Sequence, residues 1–329
     1  MPKTFNRDVE ILGQLRINGQ TMFPTVVTQG NVFYVKPRTG NNNADGKSPA
    51  SALKTLVEAK ARATADQNDV VYMMAEGNSA SATTDYQSVA LDWNKDGVHL
   101  IGVDSSPFIG QRARIAQLSS VKTIEDLVTI SADNCLIANI GIFQGVADST
   151  ATSPRALVVS GQHNRTMNCQ ISGNGDTGGS MDTAGARSLA VTGAENTFEK
   201  CYIGLDTVIR ATQTAEVTIG NIARTVFEDC FLNTYTSLST FKMVTYTAPD
   251  RFVLFKNCII NAVQNITSAV APTGALAAAT SVNGQIILIN TPVIGFADVS
   301  TADDSRILVY GSGNGTLVGL GLAGTVDVA

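Results

Sequence analysis

Met167-Asn168-Cys169-Gln170-Ile171, Glu199-Lys200-Cys201-Tyr202-Ile203, Glu228-Asp229-Cys230-Phe231-Leu232 and Lys256-Asn257-Cys258-Ile259-Ile260 are four versions of one phrase. Their cysteines stand 32, 29 and 28 residues apart. A period of that length is the mark of stacked supersecondary units. Sliding residues 155–169 onto 187–201 gives six identities in fifteen ungapped positions (Arg, Leu, Val, Gly, Asn, Cys), where chance gives roughly one. Phe198, Phe227 and Phe255 each precede a cysteine by three residues, a slot that Thr166 takes in the first copy; Ile171, Ile203, Leu232 and Ile260 follow by two.

Each copy reads as short strands joined by corners. Leu157 and Val159 alternate with Ala156 and Val158 at the strand period. Gly161 or Gly193 breaks the run, a second strand holds the phenylalanine, and the polar pair before the cysteine marks another corner. Beyond it the cysteine and the aliphatic residue two places on share a face. Too little chain separates the copies for a crossover helix, so the expected fold is all-β: a single-stranded parallel β-helix of about three strands per turn, each turn buried against its neighbours. Cys169, Cys201, Cys230 and Cys258 then form an internal structural stack. Ile286 and Leu288 before Thr291 read as a further turn with threonine in the cysteine slot. Upstream, either Cys135 or Ile140 can occupy the column.

Five cysteines, one per repeat, with no C-x-x-C pair and only His99 and His163 as histidines, fit neither a disulfide framework nor a metal cluster. They read as reduced, buried, small apolar groups, and neither metal nor cofactor is expected. In the loop Gly40 to Gly46, Asn41, Asn43 and Asp45 offer oxygens to calcium or form ordinary Asx turns, the second reading being favoured. Charged residues are 16% and apolar ones 44%, with a net charge of −5 and no basic run, which argues against a nucleic-acid partner. No stretch is long and apolar enough for a membrane span, and residues 1–16 lack the apolar core of a secretion signal. With free thiols, these point to synthesis in a reducing cytoplasm.

Four zones follow. Residues 1–30 hold an alternating strand pair around Gly13, an arm too short to bury its own apolar face and so expected to dock on another chain. Residues 31–77 carry a strand, the Asn-rich loop and a helix over Ala52–Ala65 with Leu53, Leu56 and Val57 on one face, placed to cover the first edge of the stack. Residues 78–300 form the body. Residues 301–329 are a glycine-rich extended tail that closes the last turn or pairs with a neighbouring subunit.

Tyr34-Val35, the Gly40–Gly46 loop, Ser48-Pro49, Thr55-Leu56, the Ala-rich helix and Asp69-Val70-Val71-Tyr72 resemble the opening of pectin-lyase-like right-handed parallel β-helix proteins. Asp96-Gly97-Val98-His99-Leu100-Ile101 resembles a first-turn strand of the same superfamily. The resemblance implies a right-handed coil with one N-terminal capping α-helix, and it says little about function, because the superfamily hosts lyases, hydrolases, adhesins and phage spikes. Val9 to Leu15 and Arg16-Ile17-Asn18-Gly19 resemble stem and attachment segments of tailed-bacteriophage fibres and head appendages. That second resemblance implies a virion protein assembled in the host cytoplasm, homotrimeric, and anchored to other virion proteins through residues 1–30. Tyr202, Phe231 and Ile259, each just after a cysteine and pointing the other way, form a candidate subunit-contact stripe, unless a loop overlies them.

Two functional readings compete. Glycan chemistry on the outer face requires facing carboxylates for hydrolysis, or a base opposite a calcium-binding carboxylate group for elimination. The best candidates are Asp176 and Asp182 in the Gly173–Asp182 excursion, together with Asp206 and Arg210. Against them, the Asn-Thr-Asp, Asp-Asp and Gly-His-Gly motifs of polygalacturonase-like hydrolases are missing from the repeats, and aromatics are only 6% with Trp93 the sole tryptophan. The sequence therefore favours a non-enzymatic virion structural protein, either a capsid decoration or head appendage or a tail fibre or spike. The alternative is a tailspike that binds or depolymerises a host surface glycan.

Overall fold

The computed structural model describes residues 30–77, 83–104, 108–220, 224–247, 250–263, 271–277, 284–300 and 306–311, plus the strand pair Arg16–Ile17 and Gln20–Thr21. Among these residues the chain coils into three parallel sheets of ten, eight and seven strands, giving about seven turns. One turn shows the pattern. Arg155–Val159 lies in sheet 3, Arg165–Met167 in sheet 1, Gln170–Ser172 in sheet 2, and Arg187–Val191 returns to sheet 3 one turn later. The returning strand pairs Leu157 with Leu189 and Val159 with Val191, the offset seen in the sequence. At the corner from sheet 3 to sheet 1 Gly161 packs so closely that a Cβ would sit 1.9 Å from the Ala132 carbonyl oxygen. No residue with a side chain fits there without moving the turn beneath.

Between sheets 1 and 2 the chain turns on one residue in the left-handed region. Asn139, Asn168, Lys200, Asp229, Asn257 and Asn290 all have φ between 48° and 59°, a conformation that, after glycine, Asn and Asp tolerate best. The next residue points inward. Each thiol lies against two carbonyls, one two residues back in its own turn and one in the turn before: Cys201 Sγ is 3.4 Å from both the Glu199 and Thr166 oxygens. Cys230 and Cys258 repeat that geometry. Thr291 does so with its hydroxyl, at 3.0 Å from Ile289 O and 3.2 Å from Phe255 O. From Cys169 to Thr291 the slot takes a compact side chain whose S–H or O–H faces these carbonyls, which explains why cysteine and threonine interchange there. Gly141 pairs with Gln170, so the residue level with Cys169 is Ile140. Cys135 instead sits at the preceding corner, its N–H donating to Asn164 Oδ1 at 2.8 Å. That corner carries its own ladder, with Asn164 N–H donating to Asn196 Oδ1 at 2.9 Å.

The interior is a set of columns. Phe198, Phe227 and Phe255 stack with centroids 4.8 and 4.7 Å apart and rings within 11° of parallel, following the strand spacing of the sheet. Ile142, Ile171, Ile203, Leu232, Ile260 and Val293 line the inside of sheet 2, and Leu157, Leu189, Val217, Val244 and Leu276 that of sheet 3.

One expectation about local structure needs correction. The helix spans Leu56–Arg62, after a 3-10 turn at Pro49–Ser51, rather than 52–65. Ala52 is extended and Leu53 bridges to Val35, because that backbone is used for pairing with the strand Val32–Val35. Leu56 and Ala59 face the core, whereas Val57 is 45% exposed. Thr55 caps the helix on Glu58 N–H, and the buried Asp85 accepts from Leu56 N–H at 2.9 Å. Arg16–Ile17 pairs antiparallel with Gln20–Thr21, whereas the strand pair expected around Gly13 lies outside the described residues. The rest of the arm, and residues 312–329, lie outside the described residues; Ile307–Tyr310 adds a tenth strand to sheet 1.

Candidate functional site on the outer face of sheet 2

The strand Tyr202–Arg210 pairs with Phe231–Thr236 in register from Tyr202↔Phe231 to Leu205↔Thr234. It then shifts, so that Arg210 meets Thr236. Asp206, Thr207, Val208 and Ile209 therefore bulge out of the ladder. Bulges of this kind often re-aim side chains at functional surfaces. Gly204 makes the approach, with φ +104° and no room for a Cβ against the Asn233 carbonyl 1.9 Å away.

The bulge is held from beneath. Arg210 and Glu216 are fully buried and paired, Nε to Oε1 at 2.8 Å. Arg210 also donates to the carbonyls of Val208 (2.7 Å), Gly173 (3.1 Å) and Asn174 (3.2 Å). Glu216 accepts from Ser188 Oγ at 2.6 Å and Thr234 Oγ1 at 3.0 Å. Four of the five Arg210 N–H donors and both Glu216 oxygens are bonded, as a buried charge pair requires. Arg210 is thus a strut and cannot touch a ligand.

The other sequence candidates separate clearly. Asp182 accepts from the backbone N–H groups of Ala211, Thr212 and Gln213, each at 2.8 Å, so it ties the glycine-rich excursion to the residues after the bulge. Asp176 accepts from Ser180 Oγ (2.6 Å), Ser180 N–H (2.9 Å) and Gly178 N–H (3.0 Å). Burial opposes its ionisation, yet these bonds outweigh it and hold the carboxyl below its usual range. Both are turn-forming carboxylates. Asp206 differs: it is exposed at the start of the bulge, and Asn233 Nδ2 donates to its Oδ2 at 2.9 Å.

Asn233 also reaches the Tyr202 hydroxyl at 2.8 Å, and its Oδ1 accepts from Asn261 Nδ2 at 2.7 Å. Burial raises the Tyr202 pKa; the Asn233 bond partly offsets that, and nearby Asp206 adds to it. Outward of this row lie Phe231 and Ile259 on one side, Tyr235 and Val263 on the other, all in register across two turns. Of the expected stripe Tyr202–Phe231–Ile259, Tyr202 is only 3% exposed because Phe108 packs edge-on against it at 6.3 Å, Phe231 is half-buried and Ile259 is 41% exposed. An overlying loop covers one end of the stripe.

Asn233, Asn261, Tyr235 and Val263 were not among the sequence candidates. The signal was present: asparagine stands three places after both Cys230 and Cys258, which puts the two amides side by side on one outer face. In the Asn-rich loop the Asx-turn reading describes the geometry: Asn43 N–H donates to Asn41 Oδ1 at 2.9 Å and Lys47 N–H to Asp45 Oδ1 at 3.0 Å. No cluster of three metal-ligating side chains occurs among the described residues, and no helix among them is long and apolar enough to cross a membrane.

No family model matches the chain, and no curated protein does either. Solved structures do. A carrot pectin methylesterase aligns with TM-score 0.56 at 14% identity over 92% of this chain and 88% of its own. The enzyme from Aspergillus niger gives 0.55 at 14% over 88% and 86%. A pectin methylesterase bound to a hexasaccharide gives 0.51 at 16% over 86% and 89%. The chain has the pectin-lyase-like right-handed β-helix fold. The expectation of a non-enzymatic structural protein is corrected here: each of these three structures, alike over most of its length, is a pectin methylesterase. None of the three is a virion protein.

Proposed function

We propose that this chain is a polysaccharide-processing protein that works on the outer face of sheet 2, with Asp206 as its acid–base group. The observation that carries the reading is the placement of Asp206. Alone among the four candidates it is exposed, stands on a bulge braced by Arg210–Glu216, and is oriented by Asn233 beside a patch of amide, aromatic and aliphatic side chains. The fold likeness to pectin methylesterases supports it. Asp182 and Asp176 are bound into turns and Glu216 is buried in its ion pair, so the two-carboxylate chemistry of glycoside hydrolysis is not served here. A single base fits a reaction that needs one proton moved, either activation of water towards an ester or abstraction of a sugar proton. Asn233 and Tyr202 position Asp206 without touching substrate.

The sequence resemblances support a finer reading. The chain forms a homotrimeric spike anchored to a virion through residues 1–30, and the helix Leu56–Arg62 closes the N-terminal end of the coil. Burial of Leu56 and Ala59 supports the closing role, and a solution mass of three chains is the expected result.

The test is incubation with a panel of plant and bacterial surface polysaccharides, reading reducing ends, unsaturated sugars and released ester acids or alcohols. Turnover that falls by about 10²-fold or more in Asp206→Asn, with folding intact, is expected. Equal turnover in Asp206→Asn, or none by the parent on any polymer, contradicts the proposal.

A further inference from the structure

We infer that the polysaccharide lying on this face is uncharged along the stretch it occupies, an inference that rests on the glycan reading above. Phe231 pairs with Ile259, Asn233 with Asn261, and Tyr235 with Val263. The surface is thus two apolar rows flanking the half-buried Asn261, with Asn233 buried beside it as the residue that orients Asp206. Apolar rows suit the C–H faces of sugar rings, and the Asn261 amide suits hydroxyls; among the described residues nothing in the patch offers a positive charge.

The cations around it are committed elsewhere. Arg210 is fully buried against Glu216. At the corner that leads into the patch, Lys200 pairs with Glu199 at 3.4 Å and Lys256 with Glu228 at 2.7 Å. That corner also carries Asp229, a further negative charge. On sheet 2 itself Arg114 lies three turns before Tyr202, or about 14 Å at the ordinary strand spacing. That exceeds the Debye length of about 10 Å in moderate salt, and its guanidinium stands over the Phe143 ring at 6.0 Å. A polyanion laid along the patch would bring its charges to Asp206 with no cation to offset them, whereas a neutral chain meets no such repulsion.

The experiment is affinity electrophoresis of the full chain through gels containing dextran, galactan or mannan, or else polygalacturonate or dextran sulfate, at low and high salt. Retention by at least one neutral polymer is expected, with affinity insensitive to salt and about tenfold or more tighter than for either polyanion. Asn261→Ala and Phe231→Ala should weaken it by about tenfold each while leaving circular dichroism unchanged. Tighter, salt-sensitive retention by a polyanion overturns the inference and leaves the glycan reading standing. So does neutral retention that both substitutions leave unchanged, because the neutral chain is then held elsewhere. Retention by no polymer overturns both.

Discussion

Arg210 Nε lies 2.8 Å from Glu216 Oε1, and neither side chain touches solvent. The pair fixes the far end of the bulge that presents Asp206, so its removal should be felt in both stability and function. Arg210→Met leaves a buried carboxylate without its cation, which costs about 3–5 kcal/mol. A urea titration should show the midpoint falling accordingly. A midpoint within error of the parent's would mean that the pair is not enclosed as described.

The thiols should be inert in the native protein. Burial pushes Cys135 and Cys169 up to about 12. Cys258, chiefly through its Cys230 neighbour, and Cys230, chiefly through burial, are raised as well. At pH 8 a thiol with a pKa near 12 is ionised to about one part in 10⁴. Ellman titration should find no rapid thiol in the folded chain and five in denaturant. Fast reaction of any cysteine without unfolding would contradict the stacked interior.

His99 should make stability fall below neutral pH. Burial lowers its pKa, and its Nδ1 accepts from Leu136 N–H at 3.0 Å, which requires that nitrogen to be unprotonated. The folded pKa is below the unfolded one, so the contribution is complete above about pH 6.5 and is lost as pH drops towards the folded value. Denaturation midpoints at about pH 7.5 and about pH 5.5 should differ more in the parent than in His99→Gln, whose amide oxygen can still accept. Equal differences would remove His99 as the cause.

The coil was legible because its turns repeat side-chain types at fixed places: Cys201 over Cys169, Phe227 over Phe198, Asn196 over Asn164. The columns are packing made visible in sequence. The helix boundary was misjudged because Ala52 and Leu53 have helical propensity yet serve backbone pairing to Val32–Val35, so tertiary context overrode a local preference. Asp176 and Asp182 looked like free acids because sequence does not reveal which backbone N–H groups will surround a loop carboxylate. Arg210 looked exposed for a related reason, since only the register shift after Leu205 turns it inward. Tyr202 is covered by Phe108, from a loop far earlier in the chain that no local pattern predicts.

The most direct test of the central claim is where a glycan protects the chain. Hydrogen–deuterium exchange with and without a retained polysaccharide should slow exchange in residues 204–210, 231–236 and 259–263, with sheet 3 unchanged. Protection confined to the outer face of sheet 3, around Thr218 and Thr245, would contradict the placement of the site on Asp206.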